Sequence, residues 1–190
     1  MNDPLARRRL EMDRIARRLA RRRINAVTYW GLGSFSDPSL WDISDWHLPV
    51  MGVELRLDDG APVSAVWGSD FGHFGLELYA SPMTDHVTAL DVDDGGPNHG
   101  TVTDHPRWAA LLIDPIVDAR LVWAEGYADR QGAVGPVAAP LALRLNFPNG
   151  RIRIIAAMEH TDDRWWLGAD EVIVAFTDEF AASIGYPDND

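Results

Sequence analysis

Residues 141–158 read Leu141-Ala142-Leu143-Arg144-Leu145-Asn146-Phe147-Pro148-Asn149-Gly150-Arg151-Ile152-Arg153-Ile154-Ile155-Ala156-Ala157-Met158. Leu141, Leu143, Leu145 and Phe147 alternate with Ala142, Arg144 and Asn146. That period of two places one side of a strand in a core. Asn149-Gly150 is the strongest short hairpin signal, and Ile152, Ile154, Ala156 and Met158 form the return strand. An antiparallel hairpin with an apolar face needs further strands to bury that face, so the rest of the chain must supply them.

It does so in the same idiom. Val53, Leu55 and Leu57 alternate with Glu54, Arg56 and Asp58, Asp59-Gly60 turns, and Val63, Ala65 and Trp67 return. Leu76, Leu78 and Ala80 continue this meander, and Val87–Val92 reads as a weaker fourth strand before a polar stretch from Asp91 to Gly100. Ile116–Glu125, with Val117, Ala119, Leu121 and Trp123 on one face, and Val172, Val174 and Phe176 complete the strands. Short helices are expected after Asp104, with Trp108, Leu111 and Leu112 as the apolar face, and at 178–184, capped by Thr177. Residues 126–140 read as a loop rich in Gly and Pro. The segments around Leu55-Arg56-Leu57 and Leu143-Arg144-Leu145 follow the same order of hairpin, polar loop and strand, which suggests two related meanders. The expectation is an α+β fold: a mainly antiparallel, curled or barrel-like sheet of about eight strands, with an N-terminal helix and two short helices.

The chain has 190 residues, no Cys and no Lys; 17 arginines face 29 acids, for a net charge of −12. That charge is unevenly divided. Residues 1–24 hold nine arginines against Asp3, Glu11 and Asp13, a net +6, while the remainder is −18. Asp3 can cap a helix and Pro4 suits its first turn. Leu5, Met12, Ile15, Ala16 and Leu19 then make one apolar stripe on an arginine-coated helix. Its basic face holds Arg14, Arg17, Arg18, Arg21 and Arg22. Such a helix either docks its stripe on the body or serves as a basic arm for an acidic partner. Nucleic acid through the arm is disfavoured, because the acidic body repels phosphate and the stripe has no aromatics. Residues 25–49 read as a loop wrapping the sheet with Trp30, Trp41 and Trp46, and 50–190 as a single domain.

Composition excludes whole classes of chemistry. Without Cys there is no disulfide, thiolate zinc site or thiol nucleophile, and without Lys no Schiff base and no phosphate-loop lysine. Gly33-Ser34 and Gly68-Ser69 lack the rest of a nucleophile elbow. Asp91, Asp93 and Asp94 resemble a calcium loop, but Gly95 and Val102 stand where two ligands should be. The six histidines, His47, His73, His86, His99, His105 and His160, show no paired ligand spacing. Asp162 with Asp163, and Asp170 with Glu171, are adjacent rather than facing pairs. No catalytic residue, metal or cofactor is therefore expected. The longest uncharged stretch, Gln131–Leu143, is too short to span a bilayer, and no signal segment opens the chain, so a cytoplasmic protein is expected.

Surface recognition remains. Trp165 and Trp166 sit side by side in an acidic stretch, Glu159–Glu171, and rigid aromatics among acids are typical interface anchors. Trp67–Gly75 has the same character. Partner contacts are accordingly expected at Trp165, Trp166, Asp162, Asp163, Asp170, Glu171, Asp70 and His73.

The segment Leu143-Arg144-Leu145-Asn146-Phe147 with Asn149-Gly150, followed by Asp170-Glu171-Val172-Ile173-Val174-Ala175-Phe176, resembles small actinobacterial α+β proteins of the toxin-immunity kind. The use of Arg to the exclusion of Lys fits a GC-rich genome. The resemblance implies a non-catalytic acidic protein, an immunity protein or adaptor, that masks a basic protein partner. Two other readings stand beside it. One is an oligomeric assembly whose basic helix docks on a neighbouring acidic body, and the other is a small-ligand or hydrolytic enzyme with a pocket between the two meanders.

Overall fold

A computed structural model describes residues 3–32, 34–89, 96–124, 138–160 and 164–187. They form helix α1 (Pro4–Leu19), strand β1 (Ile24–Leu32), β2 (Trp46–Val50), β3 (Gly52–Leu57), β4 (Pro62–Gly68), β5 (Gly75–Tyr79) and β6 (Pro97–Thr101). The second half contributes helix α2 (Pro106–Leu111), strands β7 (Asp118–Ala124), β8 (Ala139–Phe147), β9 (Gly150–His160) and β10 (Arg164–Ala175), and helix α3 (Asp178–Ser183). The strands make two antiparallel five-stranded sheets, ordered β5-β4-β3-β1-β6 and β2-β10-β9-β8-β7. The fold is therefore α+β and antiparallel. The sheet is not one curled barrel but two open sheets sharing a core, in which Val27, Val53, Leu55 and Leu78 of the first meet Leu143, Leu145, Ile154 and Val174 of the second.

The two halves have the same order. In the first, α1 precedes a run β1-β3-β4-β5 that lies in that order across its sheet; in the second, α2 precedes β7-β8-β9-β10 in the matching order. This is the duplicated meander legible in the sequence. The hairpin at Asn149-Gly150 pairs Phe147 with Gly150 and Leu145 with Ile152. The first half also lends a strand: β2 leaves it to pair with β10, so the second sheet draws on both halves while the first sheet is built from the first half alone.

Helix α1 is part of the core. Met12, Ile15, Ala16 and Leu19 are buried, as the stripe predicts, and Asp3 accepts from the Leu5 amide to cap it. The helix packs against β5 and β7, which are edge strands of different sheets, and so closes one open side of the sandwich. Arg8 reaches Asp70 at 3.3 Å and the buried Glu77 at 3.7 Å. On the other sheet, Arg9 lies over the Trp123 ring and the Trp123 indole donates to Asp13.

Some local expectations change. The stretch 25–49 is not one wrapping loop, because it contains β1 and β2. β1 lies between β3 and β6 and buries side chains on both faces, so it lacks the alternation that marks a half-buried strand. Gly31 is needed inside the strand. A Cβ there would come within 2.7 Å of the Pro49 carbonyl oxygen and 2.8 Å of the Phe35 ring. Of the expected strand 87–92, residues 87–89 are not extended into a sheet, and 90–92 lie outside the described residues. The acidic run Asp91, Asp93, Asp94 also lies outside them. The polar stretch before Gly100 instead carries β6, which pairs with β1 and sets the His99 ring 4.8 Å from that of Trp30. His105, not Asp104, caps α2. No helix among the described residues is long and apolar enough to cross a membrane.

Candidate functional site

Trp165 and Trp166 lie on β10, not in a loop. β9 and β10 extend as a ladder in which Trp165 faces Glu159 and Trp166 faces Met158. Successive side chains of a strand point to opposite sides, so the two rings separate. Trp165 joins the outer face of the second sheet. It meets Trp46 edge-on at 5.0 Å and Phe180 of α3 at 5.5 Å, and Trp46 stacks on Phe180 at 5.5 Å with an interplanar angle of 7°. All three rings are only half-buried. Trp166 rests on the His160 ring. Between Leu167 and Val172 the ladder slips by several residues, and Asp170 and Glu171 lie in that bulge, partly buried.

The other expected contacts scatter. Asp70 pairs with Arg8, and its amide donates to Glu77, so it anchors α1. His73 is half-buried in the β4–β5 loop. Asp162 and Asp163 lie outside the described residues. The aromatic centre is flanked instead by the exposed Glu159 and Glu179, while exposed Asp178 pairs with the fully buried Arg153 at 2.8 Å.

Just past α1, Arg22 is held by Asp58 and Asp59, both at 2.6 Å. Arg14, Arg17, Arg18 and Arg21 are exposed, and none makes an ion pair among the described residues. Arg14, Arg17 and Arg18 follow one another by three and one positions on the side of α1 away from the core, and Arg21 lies just past the helix end.

A third cluster was not anticipated. Asp42, after a 3₁₀ turn, His47 of β2 and His105 at the cap of α2 converge, with their ligating atoms all within 4.8 Å of one another. His47 Nε2 lies 3.3 Å from Asp42 Oδ1, and His105 Nε2 lies 3.0 Å from Asp42 Oδ2. Behind them, the Trp108 indole donates to the Tyr29 hydroxyl at 2.6 Å, and that hydroxyl is 2.8 Å from His47 Nδ1. An indole can only donate, so Tyr29 accepts there and its own O–H donates a hydrogen bond to Nδ1. Neutral His47 then carries its hydrogen on Nε2, aimed at Asp42. The spacing of the three residues in sequence, five and then 58 positions, has no periodicity. The fold alone brings them together, and the aromatic neighbours Trp41 and Trp108 were the nearest available signal.

Burial, then the charges of His105 and Arg107, push His47 down to about 3 despite the pull of Asp42. For Asp42, burial works upward, but the His105 hydrogen bond and both imidazoles hold it below the ordinary carboxylate range. Burial raises the Tyr29 hydroxyl far above its usual value. The His47 shift has a pH consequence. Between an unfolded value near 6.5 and a folded value of about 3, the unfolded chain binds a proton that the folded chain does not. Stability is thus full above 6.5 and falls with pH by up to about 1.4 kcal/mol per unit in that window. Urea midpoints measured in metal-free buffer from pH 7 to 4 are expected to fall less steeply in His47→Gln than in the parent.

No protein-family model matches the chain, and no solved structure matches it. Part of the chain is similar to a protein described as a probable aminomethyltransferase from Haloarcula marismortui. The two are 31% identical over 101 residues, which cover 50% of this chain but 26% of the relative, so the chain spans about a quarter of that protein's length.

Proposed function

We propose that the chain is a non-catalytic binding protein of the immunity or adaptor kind, whose acidic body masks a basic protein partner. The observation that carries this reading is the Trp46–Trp165–Phe180 cluster. Three aromatic rings pack on one another at the outer face of the second sheet and each stays half-exposed. Aromatic side chains at the centre of a patch dominate binding energy, and a charged rim guides association. Glu159 and Glu179 supply an acidic rim, and the overall −12 favours rapid encounter with a basic surface. The test compares the parent with a Trp46→Ala/Trp165→Ala variant in capture from the native host, followed by affinity measurement on the captured protein. The complex is expected to weaken by at least about 30-fold, the size of a hot-spot loss, with near-UV circular dichroism showing the fold kept. Equal affinity in a folded variant would remove the reading.

A specific observation favours a second reading, self-assembly through α1. Arg14, Arg17 and Arg18 of α1, with Arg21 just past it, are exposed on a chain whose remainder is strongly acidic, so one copy's basic segment complements another copy's body. Light scattering should then give a mass above that of one chain at low salt and the single-chain mass near about 0.5 M salt, where screening is short-ranged. An R14E/R17E/R18E variant should stay single at both. These positions are exposed, so the substitutions leave the fold intact. A single-chain mass for the parent at every salt concentration contradicts self-assembly.

A further inference from the structure

We infer that Asp42, His47 and His105 form a binding site for one borderline divalent transition metal ion, such as Zn²⁺, Co²⁺ or Ni²⁺. Four observations converge on it. First, the donor set is two imidazoles and one carboxylate, which suits such ions and not Mg²⁺ or Ca²⁺, whose partners are oxygens. Second, the spacing fits. Tetrahedral bonds of 2.0–2.2 Å put neighbouring ligand atoms about 3.4 Å apart; Asp42 Oδ1 stands 3.3 Å from His47 Nε2, its Oδ2 stands 3.0 Å from His105 Nε2, and the three ligating atoms lie within 4.8 Å, a set that small side-chain rotations bring onto one ion.

Third, His47 is fully buried and its Nε2, 3.3 Å from Asp42 Oδ1, faces the cluster without a well-formed hydrogen bond. A buried ring nitrogen left in that state is costly unless something ligates it. Fourth, the rings are held from behind. Tyr29 fixes His47 through Nδ1, and the Trp41 ring lies 5.1 Å from His47 and 5.5 Å from His105. Metal-binding histidines are usually fixed through their second nitrogen in this way.

Binding requires both imidazoles to present a bare Nε2. His47 moves its hydrogen to Nδ1, where the Tyr29 oxygen accepts it beside the Trp108 indole. His105 likewise takes the Nδ1–H form and gives up the long 3.4 Å contact from the Arg107 amide. No charge is buried uncompensated, because Asp42 is the single anion at the site. Access comes from one side. His47 is sealed, while the side chains of His105 and Asp42 are 17% and 29% exposed. His105 also lines an open cleft of ≈460 Å³ with Trp41, Asn98, His99 and Asp104. Three protein ligands leave the fourth position to water or to a small ligand from that cleft.

The probe is Co²⁺ added to the full chain stripped with chelator, followed by visible absorption, with Zn²⁺ as competitor and Mg²⁺ as control. One Co²⁺ per chain is expected, with the intense bands of a four-coordinate ion, displaced by Zn²⁺ and not by Mg²⁺. His105→Ala, at a partly exposed position that tolerates truncation, should weaken binding by more than the roughly 10–100-fold typical of losing an outer partner. Asp42→Asn should do the same. Zn²⁺ should raise the melting temperature of the parent and leave that of His105→Ala unchanged. Absence of binding at millimolar Co²⁺ overturns the inference. So does equal binding by the parent and by both folded variants, which would put the ion on other histidines.

Discussion

Met12→Asp is expected to abolish the fold, and removal of residues 1–20 should leave an aggregating chain rather than a soluble acidic body. Met12 and Leu19 have no exposed surface, and the helix that carries them bridges the edges of both sheets. Truncating a buried Met or Leu costs about 2–5 kcal/mol, and a carboxylate in that place costs more. Domains of this size hold about 5–15 kcal/mol in all. Circular dichroism and urea titration decide the matter. A truncated chain with the parent's spectrum and midpoint would mean that α1 is a detachable arm after all. The same packing explains why exposed arginines, and not deletion, must be used to probe the basic face.

Tyr29→Phe is the second large effect. The substitution removes one oxygen and leaves the size of the ring unchanged, so it opens almost no cavity. It does strip two buried groups of their partner at once, the Trp108 indole and His47 Nδ1. Each orphaned group costs about 1–3 kcal/mol, so a loss of about 2–6 kcal/mol is expected. Urea unfolding with an unchanged slope and a lowered midpoint would match it. A loss below about 0.5 kcal/mol would mean that the hydroxyl chain carries no weight.

The parts of the fold that could be read in advance were those where side chains alternate in character between hairpin turns. Leu143–Ile154 and Val53–Ala65 keep that alternation although Arg144, Arg153, Glu54 and Ser64 are themselves buried, and their Asn-Gly and Asp-Gly turns fix the register. Helix α1 was equally legible from Asp3, Pro4 and its stripe. β1 was hidden because its residues do not alternate, adjacent Tyr29 and Trp30 both being buried, and β6 because Pro97-Asn98-His99-Gly100-Thr101 joins the sheet with no apolar signal. The candidate site divides in the same way. Trp165 stood out by composition, but its companions Trp46 and Phe180 arrive from β2 and α3, and Asp70 belongs to α1 instead. Asp42, His47 and His105 could not be paired by spacing, because two loop–strand junctions and a helix cap have to meet before they become a group.

The reading of the chain as a recognition protein turns on the outer face of the second sheet. The direct measurement is hydrogen exchange of the protein alone and with its captured basic partner. Protection is expected in the segments 46–50, 164–167 and 178–183, which carry Trp46, Trp165 and Phe180, with α1 unchanged. Protection confined to α1, or absent from those three segments in a saturated complex, would contradict the account.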